Sequence, residues 1–310
     1  MSEWSAILVA IAAAAVQRGT PIALAALGEG ITERSGVINL GVEGMMLVGA
    51  LAGFVVQLKT GNPLYAVIGA GMAGATLACI HAALVLRCGA NQIVSGFAIT
   101  ILGTGLSGFF GQSYVGAKIT GVGSSPIPGL SHLPALGEIF FNQDLFVYLA
   151  VIVTILVWFL FNRTRLGLKI RAVGEDPESA FAQGVPVLRT RFVAIVAGGF
   201  LAGIGGAHLS IATTQVWGEK MTSGIGWIAV GLVIVARWQP FPTLLIAWLF
   251  GTMLVLHPYL QGSGVEISSY LIGMLPYLMA VAALVAVTLF SRRSGRGMPT
   301  ALARQLNLPE

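Results

Sequence analysis

The chain has 310 residues, 56% of them hydrophobic and only 9% charged, with a net charge of +5 and a mean hydropathy of +0.86. Average soluble domains carry roughly 25% charged residues, so this balance excludes a soluble globular protein. It predicts a single membrane-spanning domain over residues 1–310, with a core at 5–290 and a tail at 291–310.

At the N-terminus, an apolar run follows Glu3 without a preceding positive charge, which predicts a first membrane helix in place of a cleaved signal. Runs near the ~20 residues needed to span a bilayer then recur along the chain. They predict about nine transmembrane helices (eight to ten), near 5–27, 36–58, 64–86, 92–111, 144–161, 192–212, 225–237, 242–258 and 268–290. Segments such as Leu145 to Asn162 are apolar on every face, which favours an all-α polytopic protein over an alternating β-barrel. The spans near 225 and 242 are short and separated by Arg237, Pro240 and Pro242.

Polar residues inside the first two spans are the costly ones. Arg18 and Gln17 sit deep in the first, where Glu29 or Glu43 can neutralise the arginine. Between the spans lies ITERSGVINLGVEGMM, Ile31 to Met46. Glu33 and Arg34 are placed in a short cytoplasmic turn. Asn39 and Glu43 are four apart, so a helix there would put them on one face, with Glu43 roughly 10 Å into the membrane. They are expected to border a translocation path. The alternative is a hydrogen-bonded clamp holding a broken helix.

Cys79 and Cys88 are nine residues apart, match no metal or redox spacing, and are read as packing residues. His81, His208 and His257 are lone residues in or beside apolar runs, without HExxH or a ligand cluster, and are also read as packing residues. No metal site is expected. The Gly-rich runs Gly69 to Ala75 and Gly198 to Ser210 place small residues three or four apart, which lets membrane helices approach closely.

Two loops stand out. Gln112 to Asn142 is rich in Gly, Ser and Pro and longer than a connection requires. It is either a docking surface for an external partner or a cover over helix ends. In VGEDPESAFAQGVP, Asp176 has N-cap chemistry, Pro177 suits the first helical position, Glu178 complements the positive helix end, and Gly184 suits a left-handed stop. A helix of about two turns is predicted, with Ala180 and Phe181 as apolar contacts. It is too short to stand alone in water, so it packs on another protein or on this chain's own inner surface.

Lys and Arg mark cytoplasmic loops. Placing the loops around Arg34, Arg87, Asn162 to Arg191, Arg237 and the tail inside puts thirteen basic residues there, against Lys59, Lys118 and Lys220 outside. The N-terminus is then outside and the C-terminus cytoplasmic. The positive charge is topogenic and no nucleic-acid partner is implied. The absence of GxxxxGK[ST] means that any ATP dependence comes from a different polypeptide.

Four ordered motifs carry a family resemblance: LGEGITERSGVINLGVEGMMLVGALAGF, GANQIVSGFAITILGTGLSGF, LKIRAVGEDPESAFAQGVPV and GIGWIAVGLVIVARWQPFP. They run from about residue 21 to 242. The chain resembles permease subunits of ATP-binding cassette importers for simple sugars and nucleosides, related to ribose and branched-chain amino acid permeases. It looks closest to the shorter permease of nucleoside importers. The resemblance implies a transport subunit without its own catalytic site, in the bacterial cytoplasmic (inner) membrane. It implies a second homologous permease, a cytoplasmic ATPase that uses the ATP, and an external binding lipoprotein delivering a nucleoside or sugar. No cofactor is expected on this chain. The inner helix would be the coupling helix that contacts the ATPase, drawing on Glu175, Asp176, Pro177, Glu178, Ser179, Ala180, Phe181 and Gly184. Asn91, Gln92 and Trp227, within the shared motifs, join Asn39 and Glu43 as pathway candidates. The rival reading is a secondary transporter or channel for a small polar solute.

Overall fold

The computed structural model describes residues 3–262 and 299–305, together with residues 274, 278, 281, 282 and 285. The expected span near 268–290 and most of the tail lie outside the described residues. Among the described residues the named elements are all helical. They are α1 (Glu3–Arg34), α2 (Val42–Thr60), α3 (Pro63–Leu86), α4 (Gln92–Gly111), α5 (Leu145–Arg163), α6 (Arg165–Glu175), α7 (Pro177–Ala182), α8 (Val187–Ala207), α9 (Ile225–Val235), α10 (Pro240–Gly262) and α11 (Thr300–Gln305). Short wide-turn segments at Gly137–Phe141 and His208–Thr213 add to these. Six helices are long and apolar enough to cross a membrane: those at Trp4–Arg34, Val42–Thr60, Pro63–Leu86, Gln92–Tyr114, Leu145–Arg163 and Val187–Thr213.

The first span does not end near residue 27. α1 continues to Arg34 with Pro21 inside it, because its second half is enclosed by α8, α9 and α10. Glu29 and Glu33, which mark an exit in a linear reading, are buried at 1% and 3% exposure. Glu33 and Arg34 therefore belong to a helix and not to a turn. The helix stops at Gly36, whose φ of +83° suits glycine and few other residues. α2 begins at Val42, so the second span starts six residues later than its apolar run.

α3 and α8 make the most extensive helix pair, and α2 packs on both. Their Gly-rich runs face each other. A Cβ on Gly203 would stand 2.2 Å from the Ala70 carbonyl oxygen, and one on Gly74 would stand 2.2 Å from that of Gly199. Backbones this close gain dispersion contacts that lipid tails cannot supply better. Gly203→Val is expected to cost about 1–3 kcal/mol by overpacking, read as a lower melting temperature of the detergent-purified permease. An unchanged melting temperature would mean that the pair can part freely.

Histidines tie helices together. His81 Nδ1 meets Ser95 Oγ at 3.0 Å between α3 and α4. His208 Nε2 meets Asp144 Oδ2 at 3.1 Å, and Gln17 Nε2 donates to that same oxygen at 3.0 Å. Asp144 Oδ1 also caps α5 by accepting from the N–H groups of Phe146 and Val147. One buried carboxylate thus joins α1 and the start of α5 to the segment that follows α8, as packing residues would. The side chain of His257 lies outside the described residues. Cys79 is partly buried, but Cys88 is exposed because α3 ends before it, so its reading as a packing residue is corrected.

The loop from Gln112 to Asn142 covers helix ends. Lys118 and Val216 form a bridge, as do Val115 and Trp217, and the Val122 N–H donates to the Ile211 carbonyl. Gln57 Nε2 donates to the Thr120 carbonyl, fixing the loop to the end of α2.

Candidate functional site

Residues 36–41 are not helical, so Asn39 and Glu43 do not share a helical face as their spacing implied. Asn39 is fully buried and organises the break. Its N–H donates to Glu29 Oε1 at 2.8 Å, and its Oδ1 accepts from the Gly41 N–H at 3.0 Å. An asparagine side chain that bonds two residues onward stabilises a turn over a helix. Gln92, at the start of α4, accepts the Ile38 N–H at 2.8 Å. The backbone donors freed by the break therefore find side-chain acceptors within protein, as buried backbone requires.

A second break lies opposite. After Thr213 the chain is non-helical until Ile225. It is paired to the 112–142 loop at Val216 and Trp217 and reaches the start of α2 at Thr222. Gln215, Lys220 and Ser223 have positive φ, a conformation that costs side-chain-bearing residues and persists where surroundings over-determine it. Gln215 is fixed by the 112–142 loop, whose Ile119 N–H donates to its carbonyl, and the 222–226 stretch by Glu43. The Thr222 hydroxyl and the Gly224 N–H (2.8 Å) donate to Glu43 Oε1, and the Gly226 N–H donates to Oε2 at 2.7 Å. A Cβ on Gly226 would stand 2.6 Å from the Glu43 Cα, so only glycine lets the two segments meet.

α9 has eleven residues, about 16 Å at 1.5 Å per residue, roughly half the ~30 Å hydrocarbon thickness. At its other end, Trp238 Nε1 donates to Glu33 Oε2 and the Trp238 carbonyl accepts from Arg34 Nη2 at 3.2 Å. α9 is thus a half-membrane helix strung between two α1/α2 carboxylates. Glu43 lies in the first turn of α2 and against the first turn of α9. The positive ends of two helix dipoles converge on one carboxylate, the charge they favour.

Beside this junction the surface opens. Trp227, one turn into α9, is 48% exposed and meets Phe97 of α4 edge-on at 6.3 Å between centroids. Trp227, Gly224 and Gly231 line a largely apolar cavity of about 530 Å³. Asn91 stands apart, exposed, capping α4 through the N–H groups of Ile93 and Val94. Of the pathway candidates, then, Asn39, Glu43 and Gln92 hold the breaks together and Trp227 faces open space. Phe97, Thr222, Gly224, Gly226 and Trp238 were not anticipated. A broken span carrying glycine beside a buried glutamate is the signal that points to them.

Arg18 is exposed on α1, and Glu29 and Glu43 are both engaged elsewhere, so the expected neutralisation does not form. At the Arg34 end of the bundle, Asp176 Oδ1 accepts from the N–H groups of Glu178 and Ser179, its Oδ2 accepts from the Ser179 hydroxyl, and Pro177 opens α7. Gly184 follows with φ +79°. Ala180 is 5% exposed but Phe181 is 73% exposed. Glu175 closes the preceding α6, where it accepts from the Thr300 hydroxyl at 3.0 Å.

Residues 10–284 match the family described as branched-chain amino acid transport system / permease component. A putative glucose ABC transporter permease protein of Haloferax volcanii is 44% identical, over 95% of this chain and 96% of that protein. A guanosine ABC transporter permease protein of Bacillus subtilis is 34% identical over 79% and 81% of the two chains. A nucleoside ABC transporter permease protein of Lactococcus lactis is 31% identical over 86% and 88%. No solved structure matches the chain.

Proposed function

The chain belongs to the branched-chain amino acid transport system / permease component family, a permease subunit of an ATP-binding cassette importer, and from that premise we propose how it moves its substrate. The substrate is a simple sugar or nucleoside, in keeping with the relatives named for glucose, guanosine and nucleosides. It passes along the face that bears Trp227 and Phe97. The observation that carries this reading is the half-membrane helix α9, anchored by Glu43 and exposing Trp227 beside an apolar cavity. Transporters place substrate sites where broken helices start at membrane depth, and an aromatic face suits the ring of a sugar or base. Asn39, Glu43 and Gln92 hold this site in place, and Asn91 caps the helix that carries Phe97.

A second permease completes the pore, a separate cytoplasmic ATPase uses the ATP, and an external binding protein docks on the 112–142 loop. Closure of the ATPase moves α7 and biases the permease between inward-open and outward-open states. Uptake of labelled glucose and guanosine by the assembled transporter in proteoliposomes tests the substrate class. Trp227→Ala is expected to raise KM about tenfold, the scale of one lost aromatic contact with its buried area. An unchanged KM for both solutes would remove Trp227 from the path.

The protein lies in the cytoplasmic membrane with the α3–α4 turn inside. Native Cys88 is the probe, since it is exposed in that turn. In a Cys79→Ser background, a membrane-impermeant maleimide is expected to label inside-out vesicles and not intact cells. The reverse pattern would invert the topology.

A further inference from the structure

Arg34, Arg171 and Arg237 line a cavity of about 760 Å³ at the end of the bundle where α1, α5 and α9 finish. Its lining comes from α1, α5, α6, the α9–α10 turn, the start of α10 and Thr300. Three guanidinium groups face one carboxylate among the described lining residues, that of Glu175, which is already accepting from Thr300. Arg34 is held in place, with its carbon Cζ 5.5 Å from the centroid of the Phe161 ring and Nη2 on the Trp238 carbonyl. Among the described residues, the buried Nε atoms of Arg34 and Arg171 have no hydrogen-bond partner. Arg237 and Trp238 both take positive φ, 55° and 54°, a costly backbone conformation that sets the turn carrying Arg237 against the cavity. A cavity lined by crowded guanidinium groups is the chemistry that recognises a phosphate oxyanion.

The source of that phosphate is written in the surface beside it. Trp158 and Phe241, 37% and 46% exposed, pair across the cavity mouth at 6.3 Å. From there Phe241, Leu245 and Leu249 run up α10 as one exposed apolar stripe, and Ile152, Leu156 and Phe159 expose a second on α5, which packs against α10. Exposed aromatics sit at the interface depth of a bilayer, and basic pockets between spanning helices on the inner side take anionic headgroups. We propose that this cavity binds the headgroup of an anionic phospholipid from the inner leaflet, with its acyl chains along the α5 and α10 stripes. The site differs from the topogenic charge around it: Arg165 and Arg189 are exposed on the same end and line no cavity with it. The leaflet assignment rests on the orientation proposed above, whereas binding itself does not.

The test uses the assembled transporter in vesicles of phosphatidylcholine with phosphatidylglycerol, followed by native mass spectrometry of the lipids retained. Arg171→Gln/Arg237→Gln is expected to weaken phosphatidylglycerol retention about 25-fold, at about fivefold for each basic group that meets an anionic headgroup. Arg165→Gln/Arg189→Gln, which removes equal charge from the same face, is expected to retain it. Equal retention by both variants overturns the proposal. Displacement of the lipid by millimolar inorganic phosphate overturns the lipid assignment in favour of a soluble phosphate. Loss of retention with Cys88 labelled from outside would keep the site and move it to the other leaflet.

Discussion

Glu43→Gln is expected to cut uptake by the assembled transporter at least about tenfold and to lower the melting temperature of the permease in the same variant. The carboxylate accepts from the Thr222 hydroxyl and from two backbone N–H groups, those of Gly224 and Gly226. A glutamine presents an oxygen to one side only and turns an NH2 towards donors on the other. Each buried donor left without an acceptor costs about 1–3 kcal/mol. Removing the charge also leaves two helix N-termini facing each other, worth about 0.3–1 kcal/mol each. A loss of a few kcal/mol at the start of α9 frees the strained 214–224 segment, and every 1.4 kcal/mol is about tenfold in the population of the ordered state. Gly226→Ala is expected to act in the same direction, because its Cβ would meet the Glu43 backbone. Scanning fluorimetry with vesicle uptake separates the two roles. A fall in uptake at unchanged melting temperature would assign Glu43 to substrate contact in place of a clamp. No change in either would remove it from both.

Phe181→Glu is expected to abolish co-purification of the ATPase and its response to loaded binding protein, while the permease itself melts as before. Phe181 is 73% exposed, whereas its neighbour Ala180 is buried against this chain. α7 therefore packs on α6 and α8 through one face and presents a large apolar side chain on the other. Burying a phenylalanine in a groove is worth about 1.5–3 kcal/mol, and a carboxylate in the same groove adds a desolvation cost. At least about tenfold weaker association follows. Normal coupling in this variant would mean that α7 lies on the inner surface with no ATPase to meet.

Much of the architecture was legible from local chemistry. Asp176, Pro177 and Gly184 announced a short capped helix, because N-capping, a proline in the first turn and a left-handed stop act between residues a few positions apart. The small-residue runs at Gly69 to Ala75 and Gly198 to Ser210 announced close helix contact, although which helix each would meet was not readable. The boundaries of α1 and α2 misled for the converse reason. Glu33 looks like a solvated turn residue, Glu29 like a counter-charge for Arg18 and Asn39 like a face-mate of Glu43, whereas Glu33 meets Trp238 far along the chain and Glu29 meets the Asn39 N–H across the break.

Composition and periodicity determined that this chain is a helical membrane protein, where most spans lie and which loops carry positive charge. These follow from transfer of each residue between water and lipid, a property that needs no neighbour. Tertiary structure decided what the polar residues do. Glu43 became a clamp because residues 222–226, nearly two hundred positions later, deliver three donors to it. Arg34, Arg171 and Arg237 became a cavity because three separate helix ends meet there. A buried polar group takes its role from whichever partner satisfies it, and only the folded chain brings that partner within hydrogen-bond distance.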